Sequence, residues 1–144
     1  MSIYIDASVL VSMWVSDSHS RRVDRWIETV DSSLVVSDWG AAEFSSALGA
    51  RHRSGALSEP DREAAERSFD AWFGSGVTQT DILAEDFRSA RRLIRMEIAP
   101  LKAPDALHLA VARRLGAVFA TLDRPLSRAA DRLGVSTIGF EAFD

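Results

Sequence analysis

Short apolar, partly β-branched runs that each give way to a helix-like stretch recur along the whole chain, and this alternation restricts the fold more than any other feature. The runs are Ser2-Ile3-Tyr4-Ile5, Ser33-Leu34-Val35-Val36-Ser37, Val77-Thr78-Gln79-Thr80, Ala117-Val118-Phe119-Ala120-Thr121 and Val135-Ser136-Thr137-Ile138. Strands separated by helices predict a mostly parallel sheet with right-handed crossovers and helices on both faces. In such a sheet ligands bind in the crevice outside the carboxyl ends of the strands, which draws attention to any acid that follows a strand.

The helical stretches carry their own punctuation. Val23, Trp26, Ile27 and Val30 keep the spacing of one buried helix face. A helix is expected from Trp39 to His52, another from Ser58, as cap, to about Phe73, with Pro60 in the first turn and Gly74-Ser75-Gly76 as the break. From about Leu83 to Met96, Leu83, Phe87, Ala90 and Ile94 line one side and Arg88, Arg91, Arg92 and Arg95 another. Pro104 opens a helix that stops near Gly116, and Pro125 opens one that leads to Gly134.

At 144 residues the chain has room for one domain with a real core, and residues 1–144 are read as a single domain. The absence of cysteine removes disulfides and thiolate metal sites and fits a reducing, cytoplasmic location. The apolar run from Val9 to Val15 lacks a basic leader and is too short to span a bilayer, so no membrane association is expected. A net charge of -4 argues against a generally cationic nucleic-acid binder, although acids gathered round a divalent cation would account for part of that charge.

Four acids stand out. Asp6 and Asp123 directly follow strands, Glu43 lies in the first turns of the helix after a strand, and Asp105 opens a helix that leads into one. Each alone is explained by capping or by the helix dipole. Together at one sheet edge they are not, because two carboxylates ~4 Å apart repel by about 4 kcal/mol at an effective dielectric of ~20. With only carboxylate and water oxygens on offer, such a site favours Mg²⁺ or Mn²⁺ over zinc. Ser8 and Thr121 flank the acids and are suited to orienting a carboxylate or a bound water, or to ordinary turn bonding.

Ile5-Asp6-Ala7-Ser8-Val9-Leu10, Glu43 in its helix, Ala103-Pro104-Asp105-Ala106-Leu107-His108-Leu109-Ala110 and Ala120-Thr121-Leu122-Asp123-Arg124-Pro125-Leu126 together resemble the PIN-domain family, specifically the VapC-type ribonuclease toxins of toxin-antitoxin pairs. The resemblance implies a three-layer α/β/α domain with about five parallel strands ordered 3-2-1-4-5 and about seven helices. It further implies a homodimer, a cognate VapB-type antitoxin in the active-site groove, and endoribonuclease activity with one or two Mg²⁺ or Mn²⁺ ions. Asp6, Glu43, Asp105 and Asp123 match the family's metal-site acids and Ser8 its accompanying hydroxyl.

The remaining polar features are less specific. Arg88, Arg91, Arg92 and Arg95, together with Arg51 and Arg53, are candidates for RNA phosphate contacts, or else form a solvated face paired with Glu85, Asp86 and Glu97. His108, three residues after Asp105, has two readings: an outer role at the acids or a hydrogen-bonded packing residue. The three histidines show no zinc spacing. Two other classes compete with a nuclease: a phosphatase or phosphotransfer domain, with Lys102 as its base, and a non-catalytic RNA- or partner-binding module.

Overall fold

The computed structural model describes all 144 residues. Four parallel strands, β1 (Ser2–Ile5), β2 (Ser33–Ser37), β3 (Thr78–Thr80) and β4 (Val118–Ala120), form a sheet in the order β3-β2-β1-β4. Seven helices connect and cover them: α1 (Ala7–Trp14), α2 (Ser20–Thr29), α3 (Asp38–Arg53), α4 (Glu59–Ser75), α5 (Ala84–Arg95), α6 (Ala103–Leu115) and α7 (Arg124–Arg132). A 3₁₀ turn, Phe140–Phe143, follows.

The period-two geometry of the strands sorts the core into two layers. Ile3, Ile5, Val36 and Ala120 point to one face and pack with Val9, Leu10, Val23, Trp26, Phe44, Leu48 and Phe69 from α1–α4. Tyr4, Val35 and Phe119 point to the other and pack with residues of α5, α6 and α7. Both faces are covered, which is why the strands read as near-continuous apolar runs.

The capping signals act as expected. Ser58 accepts from the Asp61 amide, Pro60, Pro104 and Pro125 sit in first turns, and Gly116 ends α6 at φ 61°. α4 nevertheless runs through Gly74 to Ser75, since one glycine in a helix costs only ~1 kcal/mol and the wrapped helix face outweighs it.

Two expectations are corrected. The fifth strand, Val135–Ile138, is reduced to one parallel bridge between Phe119 and Thr137, with Phe119 donating to Ser136 and Ile138 donating to Phe119. β4 thus pairs over three residues with β1 and over one with this segment. On α5 the buried side is Asp86, Ala90 and Leu93, while Leu83 and Phe87 are 42% and 59% exposed. The helix turns its acid inward because Arg114 on α6 meets it there, with Nε 2.7 Å from Oδ1 and Nη2 2.9 Å from Oδ2. No helix is long and apolar enough to cross a membrane.

Candidate active site at the strand ends

From β1 the chain moves outward to β2 and β3, then returns to lay β4 on the other side of β1. The reversal leaves a crevice at the carboxyl ends of β1 and β4, the switch point at which open α/β sheets bind ligands. Asp6 follows β1 and Asp123 lies three residues beyond β4. The two turns are stitched together: the Asp6 amide donates to the Ala120 carbonyl at 3.1 Å, and the Leu122 amide donates to Ser8 Oγ at 3.0 Å.

Asp6 is buried, with 5% of its surface exposed, and its Oδ1 accepts from the Ser8 hydroxyl at 2.6 Å and from the Ser8 and Val9 amides at 3.0 and 3.3 Å. It is thus the N-cap of α1, as the capping explanation required. Burial pushes its carboxyl above the ordinary range even so, against the lowering effect of His108 when that ring is protonated and of the Ser8, Thr121 and Val9 hydrogen bonds. Asp123 caps α7 through the Leu126 amide at 3.0 Å, and Thr121 Oγ1 accepts from the Asp123 amide at 3.1 Å. Ser8 and Thr121 therefore hold the two acidic turns in shape.

Asp105, in the first turn of α6, is half-buried and accepts no cap bond. Burial raises its pKa, and the charges of Asp123, Asp6 and Glu43 raise it further, so all four acids share one field. Glu43 projects from α3, on the opposite helical layer, and its Oε1 is hydrogen-bonded to His108 Nε2 on α6. No three His, Asp or Glu side chains close into a metal-holding group as they stand. One oxygen of Glu43, Oε1, is held by His108 and Asp6 Oδ1 is taken up by its cap, so the acids do not form a finished ligand shell.

A comparison between two buried acids shows what the edge lacks. Asp86, 1% exposed, has the Arg114 fork and the Leu83 amide at 2.8 Å, which together outweigh burial and hold its carboxyl below the usual range. Asp6, Asp105 and Asp123 have no cationic side chain within salt-bridge distance, although Lys102 lines a hollow with Asp105 and Asp123. Uncompensated carboxylates at a buried edge are costly. Their all-oxygen donor set fits a hard divalent cation such as Mg²⁺ or Mn²⁺.

The expected arginines are divided by the structure. Arg51 lines the same hollow as Ser8, Glu43 and Asp123, and lies 3.8 Å from Asp17. Arg53 is exposed at the end of α3. Arg92 lines a separate hollow with Asp86, Arg113 and Arg114, and Arg88, Arg91 and Arg95 are exposed along α5 without lining either hollow that holds the acids. Arginines that the sequence did not single out, Arg22, Arg124 and Arg128, line a further hollow with Thr121, the residue that shapes the Asp123 turn. Only the chain reversal brings α2 and α7 together there. The phosphotransfer alternative gains nothing, because position 8 is a serine bonded to Asp6 and Lys102 makes no ion pair.

A doubly covered parallel sheet with unpaired acids in its switch-point crevice defines a class, that of α/β proteins whose strand-end carboxylates fit a hard cation. More particularly, the PIN domain model matches residues 3–132, and the chain belongs to the PIN-domain family. Among solved structures, VapC20 of Mycobacterium tuberculosis, a sarcin-ricin loop cleaving toxin, is similar with a TM-score of 0.71 and 19% identity over 88% of this chain and 94% of that one. FitAcB of Neisseria gonorrhoeae has a TM-score of 0.71 and 16% identity, covering 96% of this chain and 98% of that one. VapBC2 of Rickettsia felis, bound to a DNA fragment from its promoter, has a TM-score of 0.71 and 14% identity, covering 96% and 98%. At these identities the likeness is one of fold. A comparison with curated proteins gave no match.

Proposed function

We propose that residues 1–144 form one PIN domain acting as a VapC-type endoribonuclease, the toxin of a toxin-antitoxin pair, that hydrolyses RNA phosphodiester bonds with Mg²⁺ or Mn²⁺. The observation that carries this reading is the group of Asp6, Asp105 and Asp123 at the switch point, where the charges of Asp123 and Asp6 bear on Asp105 and no cationic side chain lies within salt-bridge distance. The chain's fold neighbours include a sarcin-ricin loop cleaving toxin and a VapBC complex, which supports an RNA substrate and an antitoxin partner.

Asp6, Asp105, Glu43 and Asp123 would hold one or two ions, and such an ion supplies a water of lowered pKa and charge neutralisation at the phosphate. The chain's own part is positional. Ser8 orients Asp6, Thr121 shapes the turn that presents Asp123, and Lys102 and Arg51 offer positive charge to RNA phosphates on either side of the acids. A homodimer belongs to the same proposal, and the exposed Leu83, Phe87, Met96 and Ile98, on α5 and just before and after it, favour a protein-covered face.

Asp6→Asn keeps the Oδ1 cap and removes the charge. It is expected to abolish RNA cleavage measured with Mg²⁺ or Mn²⁺ while the protein stays folded. Parent-rate cleavage by that variant at the same metal concentration would sink the assignment.

A further inference from the structure

The deepest polar feature of the molecule is a file of five groups joined by four hydrogen bonds, ending at Glu43. The Gly40 amide donates to Ser37 Oγ at 3.0 Å, Ser37 Oγ meets Tyr4 Oη at 2.7 Å, Tyr4 Oη meets His108 Nδ1 at 2.8 Å, and His108 Nε2 meets Glu43 Oε1. Tyr4 and Ser37 are fully buried and His108 nearly so. The members come from β1, the end of β2, α6 and α3, so the file crosses from one helical layer to the other over the strand ends.

Counting protons gives the file a direction. An amide only donates, so Ser37 Oγ accepts from Gly40, and an ionised Glu43 only accepts, so His108 Nε2 donates. Between these ends, Ser37 has one hydroxyl proton to place and no partner other than Tyr4. Ser37 must therefore donate to Tyr4, and Tyr4 must donate to His108 Nδ1. Were Nδ1 protonated instead, Tyr4 would turn its proton to Ser37, and the Ser37 hydroxyl proton would be stranded in the core, which buried polar groups avoid.

We infer that Tyr4, Ser37 and His108 form a one-way hydrogen-bond chain that locks His108 as the Nε2-protonated tautomer and so makes it a positioning residue that aims Glu43 at the acidic edge. The ring in that state offers Glu43 a donor from Nε2, while Asp6 and Asp105 have no Lys or Arg within salt-bridge distance. A ring whose far nitrogen is anchored to a fixed acceptor or donor is the usual way a histidine's tautomer is set. The tautomer stands on hydrogen-bond geometry alone, whereas its consequence for cation binding rests on the proposed nuclease reading.

The test uses the full chain. Long-range ¹H–¹⁵N spectra of ¹⁵N-histidine-labelled, metal-free protein at neutral pH should show His108 with a protonated Nε2 and a bare, hydrogen-bonded Nδ1. Tyr4→Phe, which keeps the ring and removes the hydroxyl, should shift the Nδ1 resonance and mix the tautomers. A protonated Nδ1 in the parent protein, or an unchanged His108 spectrum in Tyr4→Phe, overturns the proposal. Mn²⁺ titration by calorimetry supplies the second readout. His108→Leu should weaken binding by about 10-fold or more, the usual range for loss of a group that orients a ligand. His108→Gln, whose amide reaches toward Glu43 as Nε2 does, should restore most of it. Equal Mn²⁺ affinity in folded His108→Leu and parent protein overturns the positioning role. If the parent protein itself binds no Mn²⁺, the nuclease reading fails, and the histidine spectrum still decides the tautomer.

Discussion

The same substitution at two buried acids should have opposite effects on stability. Asp86→Asn breaks a bidentate charge-assisted pair and leaves the Arg114 guanidinium without its partner. Breaking a fully buried pair costs ~3–5 kcal/mol; because the Arg114 side chain is 26% exposed and can be rehydrated, about 2–3 kcal/mol is expected here. For a domain of this size ~1 kcal/mol moves Tm by about 3 °C, so Asp86→Asn should melt roughly 6–9 °C lower. Asp6→Asn keeps the oxygen that caps α1 and removes a buried charge that no side chain pairs, so in chelator at neutral pH its Tm should equal or exceed that of the parent.

The pH dependence fixes the signs. Asp86 has a folded pKa below its unfolded one, so its stabilisation is present above the ordinary carboxylate range and is lost as pH falls through the folded value. Asp6 has a raised folded pKa, so it binds protons more readily when folded, and its penalty grows as pH rises through that value and vanishes below the unfolded one. The Asp6→Asn difference from the parent should therefore shrink toward pH 4, whereas the Asp86→Asn difference should persist there and shrink only at lower pH. Saturating Mg²⁺, at ~100 times its Kd, should add about 2.7 kcal/mol, or roughly 8 °C, to the parent and far less to Asp6→Asn. Scanning calorimetry of the three proteins, with chelator and with Mg²⁺, decides the matter. The reasoning is refuted if Asp6→Asn is destabilised as much as Asp86→Asn in chelator, or if Mg²⁺ raises both variants and the parent equally.

Further expectations follow from the same geometry. Ser8→Ala removes both the 2.6 Å clamp on Asp6 and the acceptor for the Leu122 amide, and should cut RNA cleavage by about 10-fold or more in an assay at fixed Mg²⁺. In the background of Asp6→Asn, Arg51→Ala should weaken RNA binding and flatten its salt dependence by about one phosphate contact, whereas Arg92→Ala, in a separate hollow, should change neither; equal effects in a filter-binding titration would count against the groove assignment. Phe87→Ser should lower the self-association seen by sedimentation equilibrium if the exposed face of α5 joins two copies, with little change in Tm because the ring is 59% exposed.

Much of the architecture could be read from local signals. Pro60, Pro104, Pro125 and Gly116 mark helix ends because their backbone restrictions act wherever the chain goes. The strand-then-acid junction at Asp6 was legible for the same reason, since an acid at that turn caps α1 locally. The face of α5 was not. An apolar row of Leu83, Phe87, Ala90 and Ile94 looked like the inner side, yet Asp86 faces inward because a partner 28 residues away, Arg114, neutralises it. Nor did the strand pattern at Val135–Ile138 show that its pairing with β4 would stop at one bridge.

The Tyr4–His108 link was hidden in the same way, although a tyrosine inside an apolar strand and a serine before a helix each signal a polar group in need of a partner. By itself the sequence determined the alternation of strands and helices, the caps, and the four acids with their hydroxyl neighbours, because these depend on interactions within a few residues. Only the tertiary structure decided that Glu43 crosses to His108, that Asp86 is paired while Asp6 is not, and that Arg51 rather than Arg92 shares a hollow with the acids. Those outcomes depend on where distant segments meet once the sheet order is set, and on electrostatic compensation that exists only between groups brought together by packing.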